Sequence, residues 1–324
     1  MQVKPSIFFK GLATYIPGAV KYFCSGTGGS VSSRYCYSVR MRHLIKAYEA
    51  GLDTRLHKIA ELGPGDSLGI GLCAVLCGVK EYYAFDIKAH AYSERNRKIL
   101  DQLVMMLNRG EPIPDEAEFP NIFPSLGEHS FPHHILTDEI LRNSVHPERL
   151  GAIHKALDDN RSSSMVHIAY VAPWKGVSLY GSEGAGGLDM VFSQAVMEHV
   201  EHVDDTYAAL YEWLRPGAFI SHTIDYKSHG CARDWNGHWA ISENLWKIVK
   251  GNRPYLINRL PHSAHIEAME KAGFQIVGEM KRNSAPLPRH KLSNKFRTLS
   301  DDDLRTSGAF IQAMKPITYQ RTGI

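Results

Sequence analysis

The stretch His57-Lys-Ile-Ala-Glu-Leu-Gly-Pro-Gly65 decides the fold of this chain. Its apolar residues are typical of a buried strand, and its glycines, which adopt backbone angles closed to other residues, predict a tight turn after that strand. Residues 67–79 are mostly apolar and predict a buried helix that ends at Gly78, and the aromatic run at 81–86 predicts a second strand. Strand, glycine turn, helix and strand in this order predict a βαβ unit with parallel strands.

The same alternation of strands and helices continues to about residue 316. Five further strands are predicted, at 165–171, 188–193, 217–226, 274–280 and 308–314, with helices at about 137–143, 146–158, 203–214, 241–250 and 262–272. Such an order predicts an α/β fold, a mainly parallel seven-stranded sheet with helices on both faces. We expect one domain over 57–324, an N-terminal helical extension over 1–56, and a helical and loop insertion at about 101–160, whose part 109–132 holds five prolines.

Length and composition limit the classes of protein to which this chain can belong. A chain of 324 residues with a net charge of +3 and no Lys/Arg stripe gives no reason to expect a nucleic-acid partner. Its five cysteines are odd in number and scattered, which argues against a disulfide framework and favours a cytoplasmic protein. No apolar stretch reaches the roughly 18 residues that span a bilayer. Residues 1–24 mix apolar residues with lysines, and we expect them to pack on the domain or to touch a membrane peripherally. The oligomeric state stays open.

Acidic residues flank the glycine turn. Glu61 ends the first strand and Asp86 ends the second, 25 positions later, where a carboxylate can accept hydrogen bonds from the hydroxyls of a ribose. Gly63, Gly65 and Gly69 do not form the G-x-G-x-x-G run of dinucleotide-binding proteins, and a plain βα turn is the alternative to a ligand site. Asp66, which we place at the N-cap of the next helix, would repel a pyrophosphate but tolerate a cationic ligand.

At this point the sequence resembles a known family. Glu61-Leu-Gly-Pro-Gly65 and the strand that ends in Asp86, then the segment 188–200 and the turn Leu214-Arg-Pro-Gly-Ala218, resemble the motifs of class I methyltransferases in the family's order. Ala218 replaces the family's usual second glycine. The resemblance covers about 57–226 and implies a Rossmann-like fold and S-adenosylmethionine as cofactor.

The resemblance also implies roles for single residues. The methionine end of the cofactor is assigned to Glu61, Gly63 and Gly65, and its ribose hydroxyls are assigned to Asp86. Ile87 is expected to pack on the adenine, and the turn Ala172-Pro173-Trp174 is expected to form a further contact with it. Ser193 and Gln194 are expected to lie near the sulfonium.

A narrower resemblance concerns the flanking segments, including Gly26-Thr-Gly-Gly-Ser30 and Ile224-Asp-Tyr-Lys-Ser-His229, which are similar to those of bacterial methyltransferases encoded with surface-polysaccharide genes. It implies O-methylation of a sugar hydroxyl on a glycan or glycan precursor. The candidate substrate residues are Tyr35, Trp239, Asn258 and Arg259. Trp239 is expected either to stack on a sugar or to pack in the core. Arg259 is expected either to bind an anionic group of a ligand or to form an ion pair within the protein. Tyr35 is expected either to close over the cofactor or to pack against neighbouring helices.

Catalysis requires an aligned acceptor and usually a base. The first candidate base is His229, with Asp225 as its partner, since histidine titrates near neutral pH. His199 is the second candidate. A reaction that needs no base is the remaining alternative. His222 is more typical of a packed core residue. We expect no metal site, although His222, Asp225 and His229 have a spacing that metal ligands also show, because residues 222 and 225 of one strand point to opposite faces.

Three other functions compete with this interpretation. The first is a methyltransferase for another small molecule, such as a natural-product hydroxyl or amine. The second is a degenerate methyltransferase fold that serves as a binding module, which the acidic residues and glycines at 61, 63, 65 and 86 argue against. The third is an NAD-dependent dehydrogenase, which the missing glycine fingerprint and Asp66 disfavour.

Overall fold

The computed structural model describes residues 4–18, 29–91, 93–159, 165–174, 187–253 and 256–317. Its helices are α1 (Pro5–Ala13), α2 (Ser33–Glu49), α3 (Gly69–Leu76), α4 (Ser93–Asn108), α5 (Asp138–Ser144), α6 (Pro147–Asp159), α7 (Val203–Trp213), α8 (Glu243–Lys250), α9 (His262–Lys271) and α10 (Asp301–Arg305). Its strands are β1 (Lys58–Leu62), β2 (Glu81–Phe85), β3 (His167–Val171), β4 (Leu188–Gln194), β5 (Leu214–Asp225), β6 (Gln275–Asn283) and β7 (Thr306–Met314).

The strands form one sheet in the order β3-β2-β1-β4-β5-β7-β6. The strands β1 to β5 pair in parallel, whereas β7 runs antiparallel to both of its neighbours. This is the predicted seven-stranded, Rossmann-like sheet. Because β1 lies between β2 and β4, the chain order reverses there, and α/β proteins bind ligands in the crevice outside the carboxyl ends of the strands at such a point.

Side chains of the central strands alternate between two cores. Ile59 and Phe192 belong to the core that contains α2, α3 and α4, whereas Ala60 and Val191 belong to the core beneath α7 and α9. Successive residues of a strand point to opposite faces, so near-continuous apolar strands bury both sides of the sheet. This confirms the expectation of helices on both faces.

The N-terminal extension packs on the domain in two places. Helix α2 lies against α3, and its N-cap is Ser32, whose side chain accepts a hydrogen bond from the Tyr35 amide. Helix α1 packs on α8, where a Cβ on Gly11 would overlap the carbonyl oxygen of Ile248. Exposed apolar side chains are found in α1, at Phe9 and Leu12, and directly after it, at Tyr15 and Ile16. No helix of the described residues has the length and apolar character that crossing a membrane requires.

One sequence-based expectation needs correction. Helix α3 begins at Gly69 and its N-cap is Leu68, so Asp66 precedes the cap instead of occupying it. Helix α4 continues to Asn108, and the proline-rich loop expected over 109–132 follows it. Parts of the predicted N-terminal extension and of the 26–30 segment lie outside the described residues.

Candidate functional site

The turn between β1 and α3 lies at the sheet's switch point. Gly63 and Gly65 adopt left-handed backbone angles, with φ of +62° and +75°. A Cβ on Gly63 would lie 2.6 Å from Cγ2 of Val196, closer than real Cβ atoms approach. Only glycine fits this position without a shift, and the bare backbone of such a turn can approach a ligand closely.

Polar groups from two other segments hold this turn. Ser30 Oγ donates a hydrogen bond to the carbonyl of Pro64 at 2.7 Å and accepts one from the Ser67 amide at 2.9 Å. At the start of α3, the Leu68 amide donates to Asn96 Oδ1 at 2.9 Å, and the Gly69 amide donates to Ser67 Oγ at 3.2 Å. A pyrophosphate is bound by free amides at a helix N-terminus, and these amides already have partners. The turn is therefore poorly suited to a dinucleotide.

Asp86 follows β2 and faces the turn with an incompletely paired carboxylate. Its side chain is buried, its Oδ1 accepts a hydrogen bond from the Lys88 amide at 3.3 Å, and its Oδ2 is buried with no hydrogen-bond partner. Burial raises the pKa of this carboxyl group, and nearby backbone amides, including that of Gly65, offset only part of the shift. A buried acceptor without a donor is costly, so a ligand that offers hydroxyl groups here would satisfy it.

The two residues that the family resemblance assigns to the adenine, Ile87 and Trp174, both lie next to Asp86. Ile87 keeps 47% of its surface exposed. The Trp174 amide donates a hydrogen bond to the Asp86 carbonyl at 2.7 Å, so the turn after β3 lies against the same site. An apolar surface beside a hydroxyl-accepting carboxylate suits a nucleoside.

Glu61 lies deep beside the turn. Its side chain is 1% exposed, and its carboxylate accepts a hydrogen bond from the Tyr82 hydroxyl of β2. Burial raises the pKa of Glu61 to about 8, and the Tyr82 hydroxyl and the nearby Gly71 amide offset part of the shift. The hydrogen bond to Tyr82 links the end of β1 to β2 directly before the glycine turn.

The two residues expected near the sulfonium differ in their surroundings. Ser193 is fully buried, and its hydroxyl hydrogen-bonds His222 Nδ1 at 2.7 Å inside the sheet. Gln194 ends β4, and its Oε1 is buried without a hydrogen-bond partner. Tyr35 lies in α2 and packs edge to face on Phe119. Gln194 therefore keeps an acceptor atom available, whereas the Ser193 hydroxyl is paired inside the sheet. Burial lowers the pKa of His222 to about 3, which fits the packed residue we expected.

The carboxyl ends of β4 and β5 bring the candidate base residues together. His229 Nε2 lies 3.8 Å from Asp225 Oδ2 and 3.3 Å from the Asp225 carbonyl, and the His199 and His229 rings meet edge to face with centroids 5.0 Å apart. Glu198, which sequence reasoning did not single out, joins them, with its Oε1 3.7 Å from His229 Nε2. Its position directly before His199 in the sequence was the available signal.

The remaining substrate candidates are engaged in internal contacts. Trp239 is fully buried, stacks on Phe296 and donates its indole N–H to the Arg259 carbonyl at 3.0 Å. Arg259 is 4% exposed and donates to the Ile241 carbonyl at 2.6 Å and to Glu243 at 3.0 Å. No face of Trp239 is open to a sugar, and Arg259 forms the ion pair that was its alternative role. Asn258 donates to the carbonyls of Met197 and Val200 and thereby holds the turn after β4.

Comparisons with known proteins give likenesses of fold only. No protein-family model matches the sequence, and no curated protein matches it significantly. Among solved structures, an S-adenosylmethionine-dependent methyltransferase from Methanosarcina mazei is similar at 12% identity and a TM-score of 0.41, over 84% of this chain and 98% of that one. An S-adenosylmethionine-dependent methyltransferase from Mesorhizobium loti is similar at 12% identity and a TM-score of 0.39, over 84% of this chain and 97% of that one. Phosphoethanolamine N-methyltransferase 2 of Haemonchus contortus is similar at 14% identity and 0.40, over 88% of this chain and 57% of that one.

Proposed function

We propose that this protein is an S-adenosylmethionine-dependent methyltransferase that methylates a hydroxyl group of a sugar, on a glycan or a glycan precursor. One observation carries the cofactor assignment: Asp86 presents a buried, unpartnered carboxylate oxygen beside a left-handed glycine turn at the switch point of the sheet. The pairing of the α3 amides with side chains supports a ligand without a pyrophosphate.

The residues of the site divide the work of binding. Asp86 accepts hydrogen bonds from the ribose hydroxyls, Ile87 packs on the adenine, and Gly63 and Gly65 let the backbone approach the methionine end. Gln194 offers its unpartnered Oε1 to the same end of the ligand. S-adenosylmethionine supplies, when bound, a methyl group on a sulfonium that accepts a nucleophile.

The acceptor meets the residues at the carboxyl ends of β4 and β5. A hydroxyl that attacks a methyl carbon forms an O–C bond and must lose its proton, and a positioned side chain that takes the proton accelerates such a step. Three candidate proton acceptors lie together at these strand ends, namely His199, Asp225 and His229. Alignment of the two reactants by the site contributes the rest.

The sugar acceptor is supported by the resemblance of the flanking segments to methyltransferases of polysaccharide gene clusters. A different small-molecule acceptor is the second candidate, and the burial of Trp239 favours it, since the aromatic residue expected to stack on a sugar lies in the core. The two candidates share the cofactor site and differ only in the acceptor that binds at the ends of β4 and β5.

Calorimetric titration with S-adenosylhomocysteine, with NAD as the control ligand, tests the proposal. We expect micromolar binding of S-adenosylhomocysteine and none of NAD. Asp86→Ala should weaken this binding by about 1–3 kcal/mol, because charged hydrogen bonds to the ligand are lost. The matched control is Asp53→Ala, which removes an exposed carboxylate far from the switch point. Unchanged affinity in the Asp86 variant would refute the assignment of the site, and absence of binding by the wild type would favour a binding module that has lost its cofactor.

A further inference from the structure

Glu198 is a buried carboxylate without the partners such a group needs. Its side chain is 2% exposed, and neither carboxylate oxygen has a hydrogen-bond partner of good geometry. Within the described part of the chain, the one basic nitrogen that forms an ion pair with it is His229 Nε2, at 3.7 Å. Burial of an unpaired carboxylate is strongly unfavourable, and proteins resolve it by protonation, by pairing or by coordination of a metal ion.

Two imidazoles converge on the same carboxylate. One ligand atom from each of Glu198, His199 and His229 can be chosen so that all three lie within 4.8 Å of one another. Ligand atoms around a tetrahedral zinc ion, with bonds of about 2.0–2.1 Å, lie about 3.4 Å apart. The 3.7 Å separation between Glu198 Oε1 and His229 Nε2 is close to that spacing, and small side-chain movements bring in His199.

We propose that Glu198, His199 and His229 bind a divalent transition-metal ion, with Asp225 beside the open coordination position. Two histidines and one carboxylate are a ligand set typical of zinc and iron(II), and three protein ligands leave a position for a substrate oxygen. Magnesium, which prefers oxygen ligands, fits this set poorly. Such a site departs from our expectation of no metal site, because the relevant carboxylate is Glu198 and His222 takes no part.

The surrounding structure holds the ligands in place. The Asn258 amide N–H donates to the Glu198 carbonyl at 2.7 Å, and its side-chain amide donates to the carbonyls of Met197 and Val200 at 2.9 and 2.8 Å. These bonds fix the short turn that carries both Glu198 and His199. Outer contacts that orient ligands are a general part of metal sites, so Asn258 is assigned as a positioning residue.

The role of the ion rests on the proposed function, whereas its binding does not. An acceptor hydroxyl that coordinates the ion becomes more acidic, and its proton passes to the Asp225 carboxylate, which lies 3.8 Å from His229 Nε2. The hydroxyl oxygen then forms a bond to the methyl carbon, the carbon–sulfur bond breaks, and the electron pair of that bond stays on the sulfur. His229 acts in this scheme as a ligand and not as the free base.

Cobalt titration of the untagged, chelator-treated protein tests the site, with visible absorption as the readout and zinc competition as confirmation. We expect one equivalent of Co²⁺ to bind and Zn²⁺ to displace it. Glu198→Gln and His229→Ala should abolish the cobalt spectrum, and Asn258→Ala should weaken binding by about 10–100-fold. His202→Ala is the matched control, since it removes an exposed histidine from the same segment and should bind cobalt normally.

Titration with S-adenosylhomocysteine and thermal unfolding of each variant separate the possible outcomes. A wild type that binds S-adenosylhomocysteine but no cobalt would overturn the metal site and leave Glu198 a protonated buried acid. Equal cobalt binding by His202→Ala and His229→Ala would also overturn it. Cobalt binding without S-adenosylhomocysteine binding would uphold the metal site and contradict the proposed function instead.

Discussion

At the scale of single residues, the two acidic side chains that flank the glycine turn perform different tasks. Asp86 keeps one oxygen unpartnered, whereas Glu61 is enclosed by Tyr82 and the backbone of Gly71. Both residues end a strand in the sequence and look equivalent there. Asp86 keeps hydrogen-bonding capacity for a ligand, whereas the hydrogen bond between Tyr82 and Glu61 contributes to the stability and shape of the turn.

The raised pKa of Glu61 predicts a dependence of stability on pH. Its folded pKa of about 8 lies above the ordinary pKa of 4.5, so the native state holds a proton that the unfolded chain has released between these values. The wild type should therefore lose stability relative to Glu61→Gln as the pH rises from about 5 to 8, at up to about 1.4 kcal/mol per pH unit. Urea unfolding at each pH measures this. The control is Glu49→Gln, which changes an exposed carboxylate, and its free energy of unfolding should vary with pH as that of the wild type does. The same pH dependence for Glu61→Gln and the wild type would contradict the prediction.

At the scale of elements, the site depends on how closely the β1–α3 turn approaches the segment after β4. Gly63 combines a left-handed φ with a neighbour, Val196, that leaves no space for a Cβ. Gly187 has a comparable φ of +78° but no atom within 4 Å of the corresponding position. Substitutions at these two positions therefore distinguish the free-energy cost of backbone strain from the cost of a steric contact.

Alanine substitutions at these glycines should differ in a defined way. Gly187→Ala is expected to lose about 1–2 kcal/mol through strain alone. Gly63→Ala should lose a further 1–3 kcal/mol, roughly, from overpacking against Val196, and should also lose S-adenosylhomocysteine binding. Adding Val196→Ala to Gly63→Ala should restore part of the stability. Denaturant unfolding of the wild type, Gly63→Ala, Val196→Ala and the double variant measures this as a coupling energy. Equal losses at Gly63 and Gly187, with no coupling, would show that the contact is unimportant.

At the scale of the whole molecule, α2 ties the irregular segment after α4 to the sheet. The Arg42 side chain is fully buried and donates to the carbonyls of Pro114 at 2.9 Å and Pro124 at 2.7 Å. Ser38 also donates to the Pro114 carbonyl, at 2.8 Å. The proline-rich loop, which lacks regular backbone pairing, thus obtains hydrogen bonds from a helix of the N-terminal extension.

Removal of this link should weaken the molecule as a unit. Arg42→Met keeps an apolar stem but removes the donor to the Pro124 carbonyl, which should cost about 1–3 kcal/mol, whereas the Pro114 carbonyl keeps its hydrogen bond from Ser38. We expect a lower unfolding midpoint and faster hydrogen exchange over residues 109–132. Arg55→Met, at a side chain that is 86% exposed, should change neither. An Arg42 variant as stable as the wild type would show that water replaces these hydrogen bonds.

The order of the elements, the switch-point turn and the places of Asp86, Asp225 and His229 at strand ends could be predicted before folding was considered, because apolar periodicity, glycines and strand ends are local signals. Which polar groups lack partners could not be predicted in this way. Glu198 and Asp86 carry unsatisfied oxygens, while Trp239 and Arg259 are enclosed by residues distant in the chain. Burial and hydrogen-bond partners depend on segments that are far apart in the chain and that meet only in the folded protein.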